Sequence, residues 1–265
     1  MVADTDADVL PWRHRSARER PAEFVAPRDR YGHGAASRRV SFNRIQQRSG
    51  TGLVAAKAAA AHQYAIAEID YGAIDADRRA RGLRYLPYLA RAVVIALAEH
   101  PALNATIIDG ETLARSEVHL GIAVDLDHEG LVVPVVRDAH LLNVRGLSDA
   151  IAEVAARARA RQLRPDDLVD GTFTITNPGG YGTYWSFPII NVPQVGILSS
   201  DGIRKRVVVH SGAGADTLRI RPTGNVGLAT DARAVRSDEA AAFLATLRHV
   251  MAQDATTTTT RNSWF

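Results

Sequence analysis

Apolar residues recur with two periods along this chain, and the change from one to the other divides it into elements. Over "LRYLPYLARAVVIALAEHP" the residues Leu86, Leu89, Ala90, Val93, Val94 and Leu97 fall on one side of a helix, and Pro101 follows its end. "NVRGLSDAIAEVAARARARQL" repeats the pattern with Leu147, Ile151, Val154 and Ala158, and Asn143 or Ser148 is its cap. A run near Asp238 to Met251 presents Phe243, Leu244, Leu247 and Val250, and "TGLVAAKAAAAHQ" predicts one more helix. "YAIAEIDY" instead alternates with the period of a strand. "VHLGIAVDLD" and "GLVVPVV" predict strands around a turn, and "GTFTITNPGGYGT" a strand ending in a glycine-rich loop. "QVGILSSDGIRKRVVVH" and "TLRIRPTGNVGLATD" add three more strands. Helices come mainly early and in the middle, strands mainly late, without regular βαβ alternation. That order predicts an α+β layered fold with a mixed sheet.

The ends carry neither period. Residues 1–37 are polar, with prolines and glycines among charges, and read as a flexible arm. Residues 253–265, including "TTTTT", read as a frayed tail. Composition narrows the classes that remain. A hydrophobic content of 46% with 23% charged residues belongs to a globular protein. The absence of cysteine excludes disulfides, thiol catalysis and Cys-ligated zinc. No apolar run nears the roughly 20 residues that span a bilayer, and the N-terminus lacks the apolar core of a secretory signal. A soluble, cytoplasmic protein without a membrane partner is expected. Net charge is only +3, the only lysines are Lys57 and Lys205, and arginines lie beside acids as in "AARARARQLRPDD". That spread predicts solvated helix faces and no nucleic-acid partner.

Candidate chemistry is sparse. "TNPGGYG", from Thr176 to Gly182, is neither a dinucleotide fingerprint nor a P-loop; a tight turn and a ligand loop suit it equally. The nine histidines form no H-x-x-x-H or H-E-x-x-H, so no metal site is expected. Asp166-Asp167 and Asp238-Glu239 sit where helices start and complement their dipoles. No serine lies in a G-x-S-x-G elbow.

Four stretches in order carry a resemblance: "LPYLARAVVIALAEHPALNATIIDG", "HLGIAVDLDHEGLVVPVVRDA", "GTFTITNPGGYGT" and "FPIINVPQVGILSSDGI". Together they resemble the catalytic domain of the dihydrolipoamide acyltransferases of 2-oxo acid dehydrogenase complexes, over residues 38–252. The resemblance implies a two-layer α+β sandwich of the chloramphenicol acetyltransferase type that assembles as a homotrimer. It implies an active-site channel at the subunit interface, with acyl-CoA as co-substrate and a small-molecule or carrier-bound acceptor entering from the other side. In the family a histidine in D-H-R-x-x-D-G is the general base, and a Ser or Thr at the end of the "T-I-[ST]-N" strand donates to the oxyanion. Thr176 is that hydroxyl here. Asn177, Gly179, Gly180, Asn191, His62 and Arg233 are the residues the resemblance places about the substrates.

The stretch "TDARAVRSDE" departs from the pattern. Asp231 and Arg233 match, but Ala232 stands at the histidine, Arg236 at the acid and Ser237 at the glycine. Gln46, in "VSFNRIQQR", stands where the family carries an arginine expected to pair with that acid. Two cations there would repel by a few kcal/mol if poorly solvated, so a neutral Gln46 beside Arg236 reads as a paired change. A histidine-to-alanine exchange would also leave Ala232, without accounting for Arg236 and Gln46. An arm ending near residue 37 is too short for a lipoyl and a subunit-binding domain, so a free-standing relative is expected. Such relatives resemble O-acyltransferases of specialised metabolism, as in tetronate pathways. The expected function is acyl transfer from a CoA or carrier thioester to a small-molecule hydroxyl, from a degenerate site. An acceptor that is already an anion would need no base, and Arg236 would bind it; His62 or His119 are the stand-in bases. The alternatives are an inactive trimeric scaffold or regulatory partner, and a pocket turned to cyclisation or elimination.

Overall fold

A computed structural model describes residues 41–126, 129–211 and 214–253. The arm expected over 1–37, and all of the expected tail but Gln253, lie outside the described residues. The helices are α1 (Arg44–Ala59), α2 (Gly72–Ala80), α3 (Tyr85–Glu99), α4 (Val144–Arg159) and α5 (Ser237–Ala252). The strands are β1 (His62–Asp70), β2 (Ala105–Ile108), β3 (Glu111–Ala114), β4 (Leu120–Ile122), β5 (Val124–Asp125) and β6 (Leu131–Val132). They continue with β7 (Val135–Val136), β8 (Phe173–Thr176), β9 (Gly196–Ser200), β10 (Arg204–His210) and β11 (Thr217–Asp231).

One mixed sheet runs β1-β11-β9-β8-β4-β7. β8 is parallel to both β4 and β9, and the other neighbours are antiparallel. β11 is long enough to serve twice: Thr223–Asp231 pairs with β1, and Thr217–Thr223 forms a hairpin with β10. Alternation decides which side chains enter the core. Phe173, Ile175, Leu198, Val226 and Leu228 point into one layer, where they meet α3 and α5; the Phe173 and Phe243 rings lie 6.0 Å apart. α3 is buried nearly all round, from Pro87 to Leu97 save Arg91, because α4 and α5 flank it over the sheet. The α+β layers and mixed sheet expected from the sequence are present.

Three local features differ from the sequence reading. α1 starts at Arg44, ahead of the expected "TGLVAAKAAAAHQ", because Asn43 and Gln46 form a reciprocal capping box. The two strands expected over 118–136 are four short pieces, paired β4 with β7 and β5 with β6. A hairpin, β2–β3, turns at Asp109-Gly110 with φ of 51° and 83°, the left-handed pair that a two-residue hairpin favours.

Candidate active site

The alternation that buries Phe173 and Ile175 leaves Thr174 and Thr176 on the opposite side of β8. There α1 and the segment from Ser186 to Val192 enclose a cavity of about 550 Å³. Its walls are hydrocarbon, chiefly Leu53, Ala56, Leu131, Ile190, Val192 and Ile197, and none of the described residues lining it is charged. Five lining side chains are polar: Ser49, Thr174, Thr176, Ser186 and Asn191. Three of them spend their proton within the protein. Ser49 donates to the Leu131 carbonyl (3.3 Å), Thr174 to Gln194 Oε1 (2.7 Å) and Ser186 to Asp201 Oδ1 (2.6 Å). Among the described residues no partner engages the Thr176 hydroxyl or the Asn191 side chain. These two groups remain for a ligand.

The turn after β11 is built around Asp231, which is buried. Its carboxylate accepts from the Ala61 N–H (3.3 Å), from the Arg233 N–H (3.1 Å) and from the Arg233 guanidinium, with Nη2 2.6 Å from Oδ2. Burial by itself would raise the Asp231 pKa; the Arg233 bonds and charge outweigh it and hold the carboxyl below the usual aspartate range. The Asp231 carbonyl accepts from the N–H groups of Ala234 and Val235, and the Ala232 N–H donates to the Ala61 carbonyl (2.9 Å). The turn is therefore rigidly bonded, with the Ala232 methyl exposed and outside the cavity lining.

Arg236 has local partners. Its N–H donates to Glu239 (2.8 Å), and its guanidinium forks onto Asp238 at 2.9 and 2.7 Å, which lowers the Asp238 pKa. The charge of Arg236 is matched within its own turn, and Gln46 Oε1 accepts the Asn43 N–H as part of the α1 cap.

His62 is not placed to act as a base. Its Nε2 accepts the Ile190 N–H (3.0 Å), so Nδ1 is the protonated nitrogen and donates to the Ala60 carbonyl (3.1 Å). His62 instead holds a wall of the cavity. His119 Nδ1 accepts the Asp138 N–H (3.0 Å), and His119 does not line the cavity. Asn177 Oδ1 accepts the Gly179 N–H (3.1 Å) and shapes the glycine loop. A Cβ on Gly179 would stand 2.6 Å from the Asp201 carbonyl oxygen, so close packing explains that glycine; Gly180 is exposed and faces open space. Of the residues singled out in the sequence, the cavity gathers Thr176 and Asn191, while Asp231, Ala232, Arg233 and Arg236 form a separate turn.

Residues 34–258 match a family model, that of the 2-oxoacid dehydrogenases acyltransferase (catalytic domain). The chain belongs to this family. The acetyltransferase component of the pyruvate dehydrogenase complex of Mycobacterium bovis is 39% identical over 183 residues, 68% of this chain and 33% of that protein. The succinyltransferase component of the 2-oxoglutarate dehydrogenase complex of Bacillus subtilis is 35% identical over 254 residues, 89% of this chain and 60% of that protein. The acyltransferase-family chain thus spans between one-third and three-fifths of the length of these relatives. The solved dihydrolipoamide acetyltransferase of Azotobacter vinelandii is 27% identical with a TM-score of 0.78, covering 89% of this chain and 96% of its own. That structure concerns the role of a serine, a histidine and an asparagine in catalysis, the last two four residues apart. A chloramphenicol acetyltransferase shares the fold at 10% identity, with a TM-score of 0.52 over 76% of this chain and 94% of its own.

For this acyltransferase-family domain, sequence reasoning found the β8 hydroxyl but missed the cavity walls. Gly52, Leu53 and Ala56 read as an ordinary helix, and nothing in their spacing announces that they face the "SFPIINV" segment. The one available signal was that segment itself, an apolar run around Pro188 that fits no regular element.

Proposed function

We propose that this domain binds an acyl thioester in the cavity and transfers its acyl group to an acceptor that arrives deprotonated, without a histidine base. The observation that carries the reading is the Thr176 hydroxyl, which lines an uncharged cavity and has no partner among the described residues. As an acceptor anion attacks the thioester carbonyl, negative charge grows on the oxygen. A hydroxyl donating to it is worth about 10²- to 10³-fold in rate. The general base that the resemblance places at Ala232 would add about 10²- to 10⁴-fold. Its loss leaves proximity and oxyanion stabilisation in place, so a thiolate or an acidic hydroxyl is the fitting acceptor. Arg236 in the free chain forks onto Asp238, so an acceptor anion would have to compete with that carboxylate for it.

The working unit is a homotrimer with acyl-CoA as donor. Two features support this. In one chain the Thr176 cavity and the Ala232 turn are separate, so the residues the family uses together would meet across copies. The β10–β11 hairpin also exposes an apolar face: register pairs Val207 with Ile220 and Val209 with Leu218, and all four side chains are more than 60% exposed. Such a strip suits an interface better than water.

The test is CoA release from acyl-CoA with thiol and hydroxyl acceptors of graded acidity. The rate should rise as the acceptor pKa falls. Release no faster than the blank with every acceptor overturns the reading. That outcome is the one expected of a non-catalytic partner subunit, a second reading that the methyl at Ala232 favours; co-purification in a mixed assembly with a histidine-bearing relative would then be seen.

A further inference from the structure

The lining of the cavity bears on which acyl group it takes, and this step rests on the acyl-thioester reading above. We infer that the cavity selects uncharged, apolar acyl chains longer than acetyl and rejects chains that end in a carboxylate. A volume near 550 Å³ lies within the range of sites for drug-sized ligands. Ala56, Ile190 and Ile197, each less than a tenth exposed, make its deep surface apolar.

Polar capacity in the cavity is rationed. Ser49, Thr174 and Ser186 have committed their hydroxyl protons, which leaves Thr176 and Asn191. Those two suffice for a thioester carbonyl and its neighbouring amide. Among the described residues lining the cavity, a distal carboxylate would find no cation. Lys57, next to Ala56 in sequence, directs its ammonium to the Tyr64 hydroxyl (2.9 Å) and lies over that ring. Arg233 is forked onto Asp231. An unpaired carboxylate against hydrocarbon is strongly disfavoured. The related B. subtilis protein is named for succinyl transfer, whereas here a succinyl end would lie against aliphatic walls.

The direct experiment is calorimetric titration of the full-length protein with CoA and with non-hydrolysable analogues of acetyl-, butyryl-, hexanoyl- and succinyl-CoA. The CoA arm is constant through the series, so differences report the acyl chain alone. Affinity should rise roughly three- to fourfold per added methylene. Butyryl should outbind succinyl, which has the same number of carbons, by on the order of a hundredfold. Ala56→Phe, which narrows the apolar wall, should erase the advantage of hexanoyl over butyryl. Equal affinity for succinyl and butyryl, or for acetyl and hexanoyl, overturns the selectivity while leaving thioester binding intact. Binding of neither CoA nor any analogue overturns the acyl-thioester reading itself.

Discussion

At the residue scale, the turn after β11 is framed by the buried Asp231 and leaves the Ala232 methyl exposed. Asp231 is almost wholly buried and paired with a half-exposed Arg233, with side-chain exposures of 2% and 53%. Solvent around Arg233 weakens the pair, but the carboxylate's several donors still make it a brace for the backbone at Ala232. Asp231→Asn should cost on the order of 1–3 kcal/mol. The pH dependence has a defined sign. Because the folded pKa lies below the unfolded value near 3.9, the stabilisation is complete above that value and is lost as pH falls through the folded pKa. Denaturant midpoints between about pH 2 and 6 should show a steeper acid decline in the native protein than in the variant. Identical acid limbs would mean that Arg233 contributes nothing to holding Asp231 ionised.

At the scale of elements, α1 is the wall of the cavity most open to change. Most of its residues are exposed, and only Ala56 is buried. It is tied down by the Asn43–Gln46 cap, by Asn43 Nδ2 donating to the Glu129 carbonyl (2.9 Å) and by Ser49 donating to the Leu131 carbonyl. Asn43→Ala should cost about 1 kcal/mol and speed amide hydrogen exchange at Gln46 and Gln47 relative to α3; unchanged exchange would show that the cap is not what holds the helix start. The cap also marks how far the sequence could be read. α4, α5 and β1 were legible because each packs one face against the core with a strong period, and α3 because its apolar run is long enough for a helix buried nearly all round. The start of α1 was not, because its apolar stripe is weak and only the Asn43/Gln46 spacing signals it. The four pieces over 118–136 were read as two strands because periodicity cannot show which partner each half takes. Thr176 was visible as the end of an alternating strand, whereas Asn191 needed the resemblance. The cavity walls come from segments more than a hundred residues apart, and only tertiary packing joins them.

At the scale of the whole molecule, the proposed function needs more than one copy. The hairpin face of Val207, Val209, Leu218 and Ile220 is the surface expected to be covered. Placing charge there, as Leu218→Glu with Ile220→Glu, should convert a trimeric mass in sedimentation to a monomeric one; an unaltered trimer would put the interface elsewhere. Assembly and chemistry are then linked, because the cavity of one chain would be completed by the Ala232 turn of another. In the proposed function, a thioester cavity of one copy faces a turn of another whose Ala232 offers no proton acceptor. This arrangement is tested most directly by the pH dependence of acyl transfer from a CoA thioester to a thiol, measured for the native protein and for Ala232→His. The proposed function predicts a native rate that follows only the ionisation of the acceptor thiol. In the variant it predicts a gain of about 10²-fold or more and a new inflection near the imidazole pKa of about 6.5. A native profile that already bends near that pH, at a rate the histidine does not improve, would contradict it.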